Sequence, residues 1–213
     1  MTIFKDVSSV CKKLYFQGWL ANCDGNVSVR IDKNKIKITP RGKPKAHLTE
    51  DEMISIDIDP WDKAHQDASS EQAMHKFIYS NVDSAVAVVH AHPPYATAWG
   101  LQKDLKYLPP NMLSEGILAC GDIPVAKYST PGTPSMGSSL GAFLPKHKVM
   151  ILAHHGAITW GDSLDEAYFG MERLEHIAKT LYLAKTLGNP AVLSQSQVDE
   201  LYQLRTQIGD KIL

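Results

Sequence analysis

The chain has 213 residues, of which 44% are hydrophobic and 21% are charged, a composition typical of a folded globular protein. Its 22 basic and 23 acidic residues leave a formal net charge of −1, which argues against a nucleic-acid partner, since such binding usually needs a basic surface. No run approaches the ~18 apolar residues of a transmembrane helix and the first residues lack a signal-peptide layout, so we expect one domain over residues 1–213 and no membrane partner.

The first part of the chain predicts one helix and three strands. Apolar side chains within residues 7–14 recur at helical spacing, and Gly18 is a typical helix stop. Residues 26–31 and 35–39 alternate polar and apolar side chains around a turn-like segment, which predicts a β-hairpin. Residues 53–58 alternate in the same way and predict a third strand.

Two short motifs predict where further helices begin. Ser69 is followed by Gln72, and Ser163 is followed by Glu166, at the spacing of a capping box. We therefore expect one helix to begin near Ser69 or Ser70, and a long helix to begin after Ser163. The apolar stripe of the long helix comprises Ala167, Met171, Leu174, Ala178, Leu181 and Tyr182.

Two uninterrupted apolar runs predict strands that are buried on both faces. Residues 85–89 form the first run, which ends before Pro93 and Pro94, and residues 149–152 form the second run. Together with the hairpin and the helices, these runs predict an α/β protein with a mixed sheet covered by helices.

Three histidines follow the buried runs closely. The side chains of His90 and His92 lie on the same side of an extended chain, because their positions differ by two. His155 follows the second run, so three imidazoles converge if the two strands are neighbours. Three protein ligands with an open position are typical of catalytic zinc. A single histidine at a strand end is more often a hydrogen-bonded structural residue, so the metal prediction depends on all three.

The helix start near Ser69 also suits an anion. The first N–H groups of a helix are unpaired and lie at the positive end of its dipole, and the hydroxyl groups of Ser69 and Ser70 add donors. Glu71, which follows them, is a candidate acid or base. The alternative is that Ser69 only caps the helix and that Glu71 only complements the dipole.

Two glycine-containing turns flank the hairpin, at Gly25-Asn26 and at Arg41-Gly42. Glycine lets backbone N–H groups approach an anion closely, and the guanidinium group of Arg41 could add a charge-assisted contact. Each turn is also an ordinary loop pattern, and Arg41 could equally be a solvated surface residue.

In this order the motifs resemble those of the class II aldolase/adducin family. The resemblance runs through Gly25-Asn26-Val27-Ser28, Thr39-Pro40-Arg41-Gly42, Ser69-Ser70-Glu71, His90-Ala91-His92 and His155-Gly156, and so covers nearly the whole chain. It implies a three-layer α/β/α domain with a central mixed, mainly antiparallel sheet, usually assembled as a homotetramer.

The resemblance also implies a role for each matching residue. His90, His92 and His155 would bind one zinc ion per chain, and Glu71 would be the catalytic acid/base. Six residues, the phosphate cradle, would hold the phosphate group of a small sugar substrate: Gly25, Asn26, Arg41, Gly42, Ser69 and Ser70.

The implied reaction is the cleavage of a phosphorylated ketose, such as a fuculose 1-phosphate, by a zinc-dependent aldolase (a lyase). The metal would stabilise an enediolate, and Glu71 would move a proton as the C3–C4 bond breaks. The products would be dihydroxyacetone phosphate and an aldehyde. Histidine ligands suit zinc, and cobalt, manganese and iron are alternatives.

Three features depart from the pattern of the sugar-phosphate aldolases. Leu113 and Ile208 fall roughly where those enzymes carry tyrosines, and Arg41 replaces a small polar residue. Glu115 lies where the methylthioribulose-1-phosphate dehydratase branch carries an acid, and its alternative is a surface glutamate. The candidate substitutes for the tyrosines are Tyr107, Tyr128 and Tyr202.

Three alternatives to an aldolase stay open on these grounds. A same-family dehydratase or 4-epimerase of a pentulose phosphate would share every motif above. A non-catalytic adducin-like binding module should lack the metal histidines. An unrelated zinc hydrolase would leave the Ser69-Ser70 pair unexplained.

The cysteines indicate the compartment. Cys11, Cys23 and Cys120 are far apart in the sequence and include no C-x-x-C pair, so neither a disulfide framework nor a zinc ribbon is indicated. We therefore expect a reducing, cytoplasmic environment.

Overall fold

The computed structural model describes residues 3–209 and 211–212. Its strands are β1 (Asn26–Asp32), β2 (Lys35–Ile38), β3 (Ile54–Asp57), β4 (Ala87–Ala91), β5 (Val125–Ala126), β6 (Val149–Leu152) and β7 (Gly156–Gly161). They form one seven-stranded sheet in the order β3-β2-β1-β4-β7-β6-β5. Neighbouring strands are antiparallel except β5 and β6, which are parallel. The mixed, mainly antiparallel sheet is therefore confirmed.

Helices cover both faces of this sheet. They are α1 (Ile3–Phe16), α2 (Gln72–Asn81), α3 (Pro94–Trp99), α4 (Ser114–Cys120), α5 (Ser135–Ser138), α6 (Leu164–Thr186) and α7 (Gln195–Ile208). One apolar cluster joins α1, α3, α4 and α6 to the sheet, and a second joins α2 and α5 to the opposite face. The three-layer arrangement is confirmed. Within the described residues, none of the helices combines the length and the apolar character that crossing a bilayer requires.

Alternation along β4 decides which side of the sheet carries the first histidine. Val89 and Ala91 belong to the apolar cluster under α1 and α6, whereas Val88 belongs to the cluster under α2. Since side chains alternate along a strand, His90 faces the same side as Val88. His90 therefore lies on the side of the sheet that α2 covers.

The structure corrects the predicted start of α2. The helix begins at Gln72 with Glu71 as its N-cap, not at Ser69 or Ser70. The hydroxyl group of Ser69 accepts a hydrogen bond from the N–H of Glu71 at 3.3 Å, and the Gln72 side chain donates to the carbonyl oxygens of His65 and Ser69. The predicted capping box was wrong, because these local hydrogen bonds form a tight turn before the helix and not its first helical turn.

Only one of the two hydrogen bonds of the predicted capping box forms at the start of α6. The hydroxyl group of Ser163 accepts from the N–H of Glu166 at 3.1 Å, as expected. The Glu166 carboxylate accepts from the N–H of Asp162 at 2.7 Å instead of reaching back to Ser163. The long helix itself is confirmed.

One central strand was not predicted. β7 lies between β4 and β6, so the two apolar runs that precede the histidines are not neighbours in the sheet. β7 begins and ends with glycine and contains Thr159, which hides its strand character in the sequence. Thr159 is nevertheless fully buried, and its hydroxyl group donates to the carbonyl oxygen of Ala167 at 2.6 Å.

Candidate active site

The pairing of β4 with its neighbouring strands determines where the first two histidines lie. His90 lies opposite Asn26 of β1 and is fully buried. Its Nδ1 lies 2.8 Å from the carbonyl oxygen of Ala157. Since a carbonyl only accepts, Nδ1 donates, and this bond turns Nε2 toward the other histidines. That Nε2 lies 3.1 Å from Nε2 of His92, so the two imidazoles face one point.

The turn between β6 and β7 carries the third histidine. His154 adopts a left-handed backbone conformation (φ 59°), and the N–H of His155 donates to the carbonyl oxygen of Leu152 at 3.1 Å. The His155 ring lies 4.9 Å from the His90 ring and 5.0 Å from the His92 ring, centroid to centroid. The turn thus brings His155 to the other two histidines although β6 does not pair with β4.

The three histidines fit a divalent cation. One ligand nitrogen from each lies within 4.8 Å of the other two. Imidazole nitrogens bound to tetrahedral zinc lie roughly 3.3 Å apart, close to the 3.1 Å between the Nε2 atoms of His90 and His92. Nδ1 of His92 lies 3.5 Å from the Asp24 carboxylate. Nδ1 of His155 is buried without a hydrogen-bond partner among the described residues, while its Nε2 faces the point that the other two rings share.

Glu71 reaches the same point from the N-terminus of α2. Its Oε2 lies 3.1 Å from Nε2 of His90, and its Oε1 lies 3.0 Å from Nε2 of His155. Burial favours the neutral carboxyl group, but the charges and hydrogen bonds of His90 and His155 outweigh burial and hold the pKa of Glu71 well below its usual range. Glu71 is therefore a carboxylate at neutral pH.

A buried hydrogen-bond network, which no sequence pattern predicted, orients that carboxylate. Nδ2 of Asn26 donates to Oε2 of Glu71 at 2.8 Å, and Nε2 of His75 bonds to Oδ1 of the same amide. Nδ1 of His75 lies 2.7 Å from the hydroxyl oxygen of Ser28, which lies 3.0 Å from the hydroxyl oxygen of Tyr79. Burial lowers the pKa of His75 to about 3, so this ring is neutral and donates through one nitrogen while accepting at the other.

The sequence contains one signal for this network, which is the spacing of four residues between Glu71 and His75. Residues four apart lie on the same face of a helix, so His75 follows Glu71 toward the sheet. No sequence motif singles out His75, because its partners come from β1 and their position depends on the strand register.

The phosphate cradle and the histidines share one cavity. All six cradle residues line a cavity of about 230 Å³, and Glu71, His92 and His155 line it too. Ser69 is buried, whereas Ser70 and Arg41 are exposed. Lys45 and Pro131 also line the cavity, although no motif predicted them.

Comparison with known proteins identifies the family. A family model described as "Class II Aldolase and Adducin N-terminal domain" matches residues 5–182. The chain belongs to this class II aldolase/adducin family.

Two relatives in the family carry different names. An L-fuculose phosphate aldolase from Methanococcus maripaludis is 33% identical over 180 residues, which cover 84% of this chain and 95% of the relative. A 3-oxo-tetronate 4-phosphate decarboxylase from Haemophilus influenzae is 28% identical over 176 residues, which cover 80% of this chain and 82% of the relative. Both names denote lyases that act on a phosphorylated substrate.

Solved structures agree with the class II aldolase fold. L-fuculose-1-phosphate aldolase from Thermus thermophilus has a TM-score of 0.79 at 30% identity, covering 89% of this chain and 98% of that chain. YgbL from Escherichia coli has a TM-score of 0.84 at 22% identity, covering 93% of this chain and 97% of that chain. The latter likeness concerns the fold alone.

The other candidate residues of the class II aldolase pattern lie away from the cavity wall. Glu115 is exposed in the first turn of α4. The Tyr202 hydroxyl group donates to the Asp122 carboxylate, while Tyr107 and Tyr128 are 42% and 60% exposed. None of these four lines the cavity formed by the described residues, so within one chain Glu71 is the acid/base candidate that contacts the histidines.

Proposed function

We propose that this protein is a zinc-dependent lyase that cleaves a small phosphorylated ketose, such as a fuculose 1-phosphate-like sugar, into dihydroxyacetone phosphate and an aldehyde. One observation supports the proposal most strongly. The Glu71 carboxylate lies 3.0 Å from Nε2 of His155 and 3.1 Å from Nε2 of His90, on the wall of the cavity that the phosphate cradle lines. The proposed metal ligands, acid/base group and phosphate cradle therefore adjoin one another.

The proposed ligands of the ion are His90, His92 and His155, with one ion per chain. Zinc is the first choice because imidazole nitrogens suit it, although other divalent metals also accept such ligands. When bound, the ion supplies a Lewis acid that polarises oxygen atoms of the substrate. The carbonyl oxygen of Ala157 accepts from Nδ1 of His90 and so orients that ring with Nε2 toward the ion.

Glu71 is proposed to move the proton. Cleavage of a ketose between C3 and C4 requires removal of the proton on the C4 hydroxyl group and addition of a proton at C3. Its carboxylate, 3.0–3.1 Å from Nε2 of His155 and His90, can accept the hydroxyl proton and return it at C3. Asn26 and His75 hold the carboxylate in one orientation during both steps.

The phosphate cradle is proposed to hold the other end of the substrate. Gly25 and Gly42 both have positive φ angles, 66° and 68°, which glycine adopts at little cost. A Cβ atom on Gly25 would lie 2.8 Å from the carbonyl oxygen of His90, so glycine is required for this close packing. The hydroxyl groups of Ser69 and Ser70 complete a set of neutral donors that suits a phosphate group.

A second candidate reaction is the decarboxylation of a phosphorylated sugar acid. The exposed guanidinium group of Arg41 lies on the cavity wall, where it could pair with a substrate carboxylate. Leu113, before α4, and Ile208, at the end of α7, have apolar side chains. Neither position therefore supplies the proton-transferring group that the aldolase pattern places there. Release of carbon dioxide instead of dihydroxyacetone phosphate would identify this reaction, and a dehydrated or epimerised product would identify the remaining same-family alternatives.

The substitution Glu71→Gln tests the proposed role directly. The amide keeps the size of the side chain but cannot take up the proton, so zinc should stay bound while turnover falls by about 10²–10⁴-fold. Glu115→Gln is the matched control, because Glu115 is exposed in α4, and it should leave turnover unchanged. Turnover of Glu71→Gln close to the wild-type rate would mean that Glu71 is only a helix-cap residue.

We also propose a homo-oligomer, a tetramer by the family pattern. Phe16 at the end of α1 is 83% exposed, and Phe169, Tyr182 and Leu183 of α6 are each 44–47% exposed. An interface between subunits would bury such side chains. Light scattering would test this assignment, and a monomeric mass would contradict it.

The proposed location is the cytoplasm. Cys11, Cys23 and Cys120 are all free thiols, as expected in a reducing compartment. Fractionation of the producing cells would test the location, and recovery of the protein outside the cytoplasm would contradict it.

A further inference from the structure

Lys45 is a buried lysine on the wall of the proposed substrate cavity. Its residue surface is 2% exposed, and it lines the cavity together with Arg41, Ser69 and Glu71. Lysine is almost never fully buried unless its ammonium group is paired. Its position at this cavity therefore calls for a physical reason.

Part of the reason is that Lys45 joins two loops. Its Nζ donates to the carbonyl oxygen of Cys23 at 2.9 Å and to the carbonyl oxygen of Lys43 at 2.7 Å. Cys23 lies in the loop that leads to Gly25 at the start of β1, and Lys43 follows Gly42 after β2. One ammonium group thus holds together the two glycine loops of the phosphate cradle.

These two hydrogen bonds leave one N–H donor of the Lys45 ammonium group unused. An ammonium group has three N–H donors, and within the described residues Nζ of Lys45 has only the two carbonyl partners. Burial lowers the pKa of Lys45, while the nearby acidic groups of Cys23, Cys11, Asp24 and Glu71 oppose that effect, in decreasing order. The remaining donor belongs to a cationic group at a cavity whose other cradle donors are neutral, apart from the solvent-exposed Arg41.

We propose that Lys45 is a substrate-binding residue that donates its third N–H to the phosphate group of the substrate while it holds the two glycine loops together. This inference rests on the proposed function, because it requires that the cradle binds phosphate. Lys45 then supplies the buried positive charge of the site, and a charge-assisted hydrogen bond in a buried position is stronger than one made by a neutral donor.

The test is the affinity of the zinc-loaded protein for inorganic phosphate, measured by titration calorimetry on the wild type and three variants. Lys45→Met keeps the side-chain length and removes the charge, and Lys45→Arg keeps the charge. Lys43→Met is the matched control, because Lys43 is 52% exposed and pairs with Glu52 at 2.7 Å. Zinc content and circular dichroism are measured on all four proteins.

We expect the wild type and Lys43→Met to bind phosphate equally, Lys45→Met to bind it about tenfold more weakly or worse, and Lys45→Arg to recover part of the affinity. Zinc content should not change. Equal affinity in Lys45→Met and Lys43→Met would overturn the role of Lys45 and leave the proposed function intact. Absence of phosphate binding by the wild type would overturn both. Joint loss of zinc and phosphate in both Lys45 variants would show a purely structural lysine and would also overturn the proposal.

Discussion

The substitution Gly156→Ala should damage the proposed metal site through packing alone. Gly156 begins β7, directly after His155. A Cβ atom at this position would lie 2.6 Å from the carbonyl oxygen of Ala91 and 2.6 Å from Cδ2 of His92. Ala91 is paired with Ala157 in the centre of the sheet, so its carbonyl group cannot move cheaply. The His92 ring is therefore expected to shift.

The size of the effect follows from these two contacts. Forcing an extra methyl group into a packed site typically costs about 1–3 kcal/mol. In a chain of this length each kcal/mol lowers the Tm by roughly 2–4 °C, so we expect a decrease of about 2–12 °C. Displacement of a ligand ring should also weaken zinc binding by about 10–100-fold, the range seen when the groups that orient a metal ligand are changed.

Gly116→Ala is the control for this prediction. Gly116 lies in α4, where a Cβ atom would meet only Ile177 methyl groups at 3.8 and 3.9 Å. Alanine should stabilise that helix by roughly 0.5–1 kcal/mol, so the two variants should move the Tm in opposite directions. Thermal unfolding and zinc titration measure both effects. A Gly156→Ala protein as stable as Gly116→Ala and with wild-type zinc affinity would refute the packing argument.

Three further predictions concern the orientation of Glu71, acid stability and the ion. His75→Leu should lower kcat by about tenfold or more with little change in KM or zinc content, because it removes the support of Asn26 and leaves buried polar groups unpaired; an unchanged kcat would contradict this. Burial would raise the pKa of Glu166, but hydrogen bonds from Lys148 and from backbone N–H groups lower it from 4.5. A carboxyl group whose pKa is lower in the folded state than in the unfolded state stabilises the fold at pH values above the unfolded-state pKa. The unfolding free energy of the wild type should therefore fall faster than that of Glu166→Gln below about pH 4.5. Parallel curves of unfolding free energy against pH would contradict this. Removing the ion with a chelator should lower the Tm, by the equivalent of about 2.7 kcal/mol if the free ion had been 100-fold above its Kd; an unchanged Tm would contradict this.

Much of the fold was predictable because its strands have clear patterns. Residues 26–31 and 35–39 alternate with a period of two, and the structure has a β-hairpin there. Residues 149–152 form a buried apolar run, and the structure has β6 there. β5 contains only Val125 and Ala126, which is too short to produce any pattern. β7 was hidden because its buried face includes Thr159, whose hydroxyl group is satisfied only by the fold.

The residues of the candidate site could be predicted better than the hydrogen-bond partners that orient them. His90 and His92 could be paired from strand alternation alone, and His155 joined them through the resemblance and its place after β6. The support of Glu71 comes from another element: Asn26 of β1 donates to Glu71 and is itself held by His75. Such contacts depend on strand register and helix packing, which a single sequence does not encode locally. Lys45 was missed for the same reason, since its carbonyl partners lie in two separate loops.

The most direct test of the central claim is the product formed by the zinc-loaded protein from phosphorylated ketoses, beginning with L-fuculose 1-phosphate. We predict that dihydroxyacetone phosphate and an aldehyde appear in equal amounts, and that Glu71→Gln forms neither at a comparable rate. A zinc-loaded protein that releases no dihydroxyacetone phosphate from any ketose phosphate, but forms carbon dioxide or a dehydrated or epimerised product, would contradict the aldolase assignment.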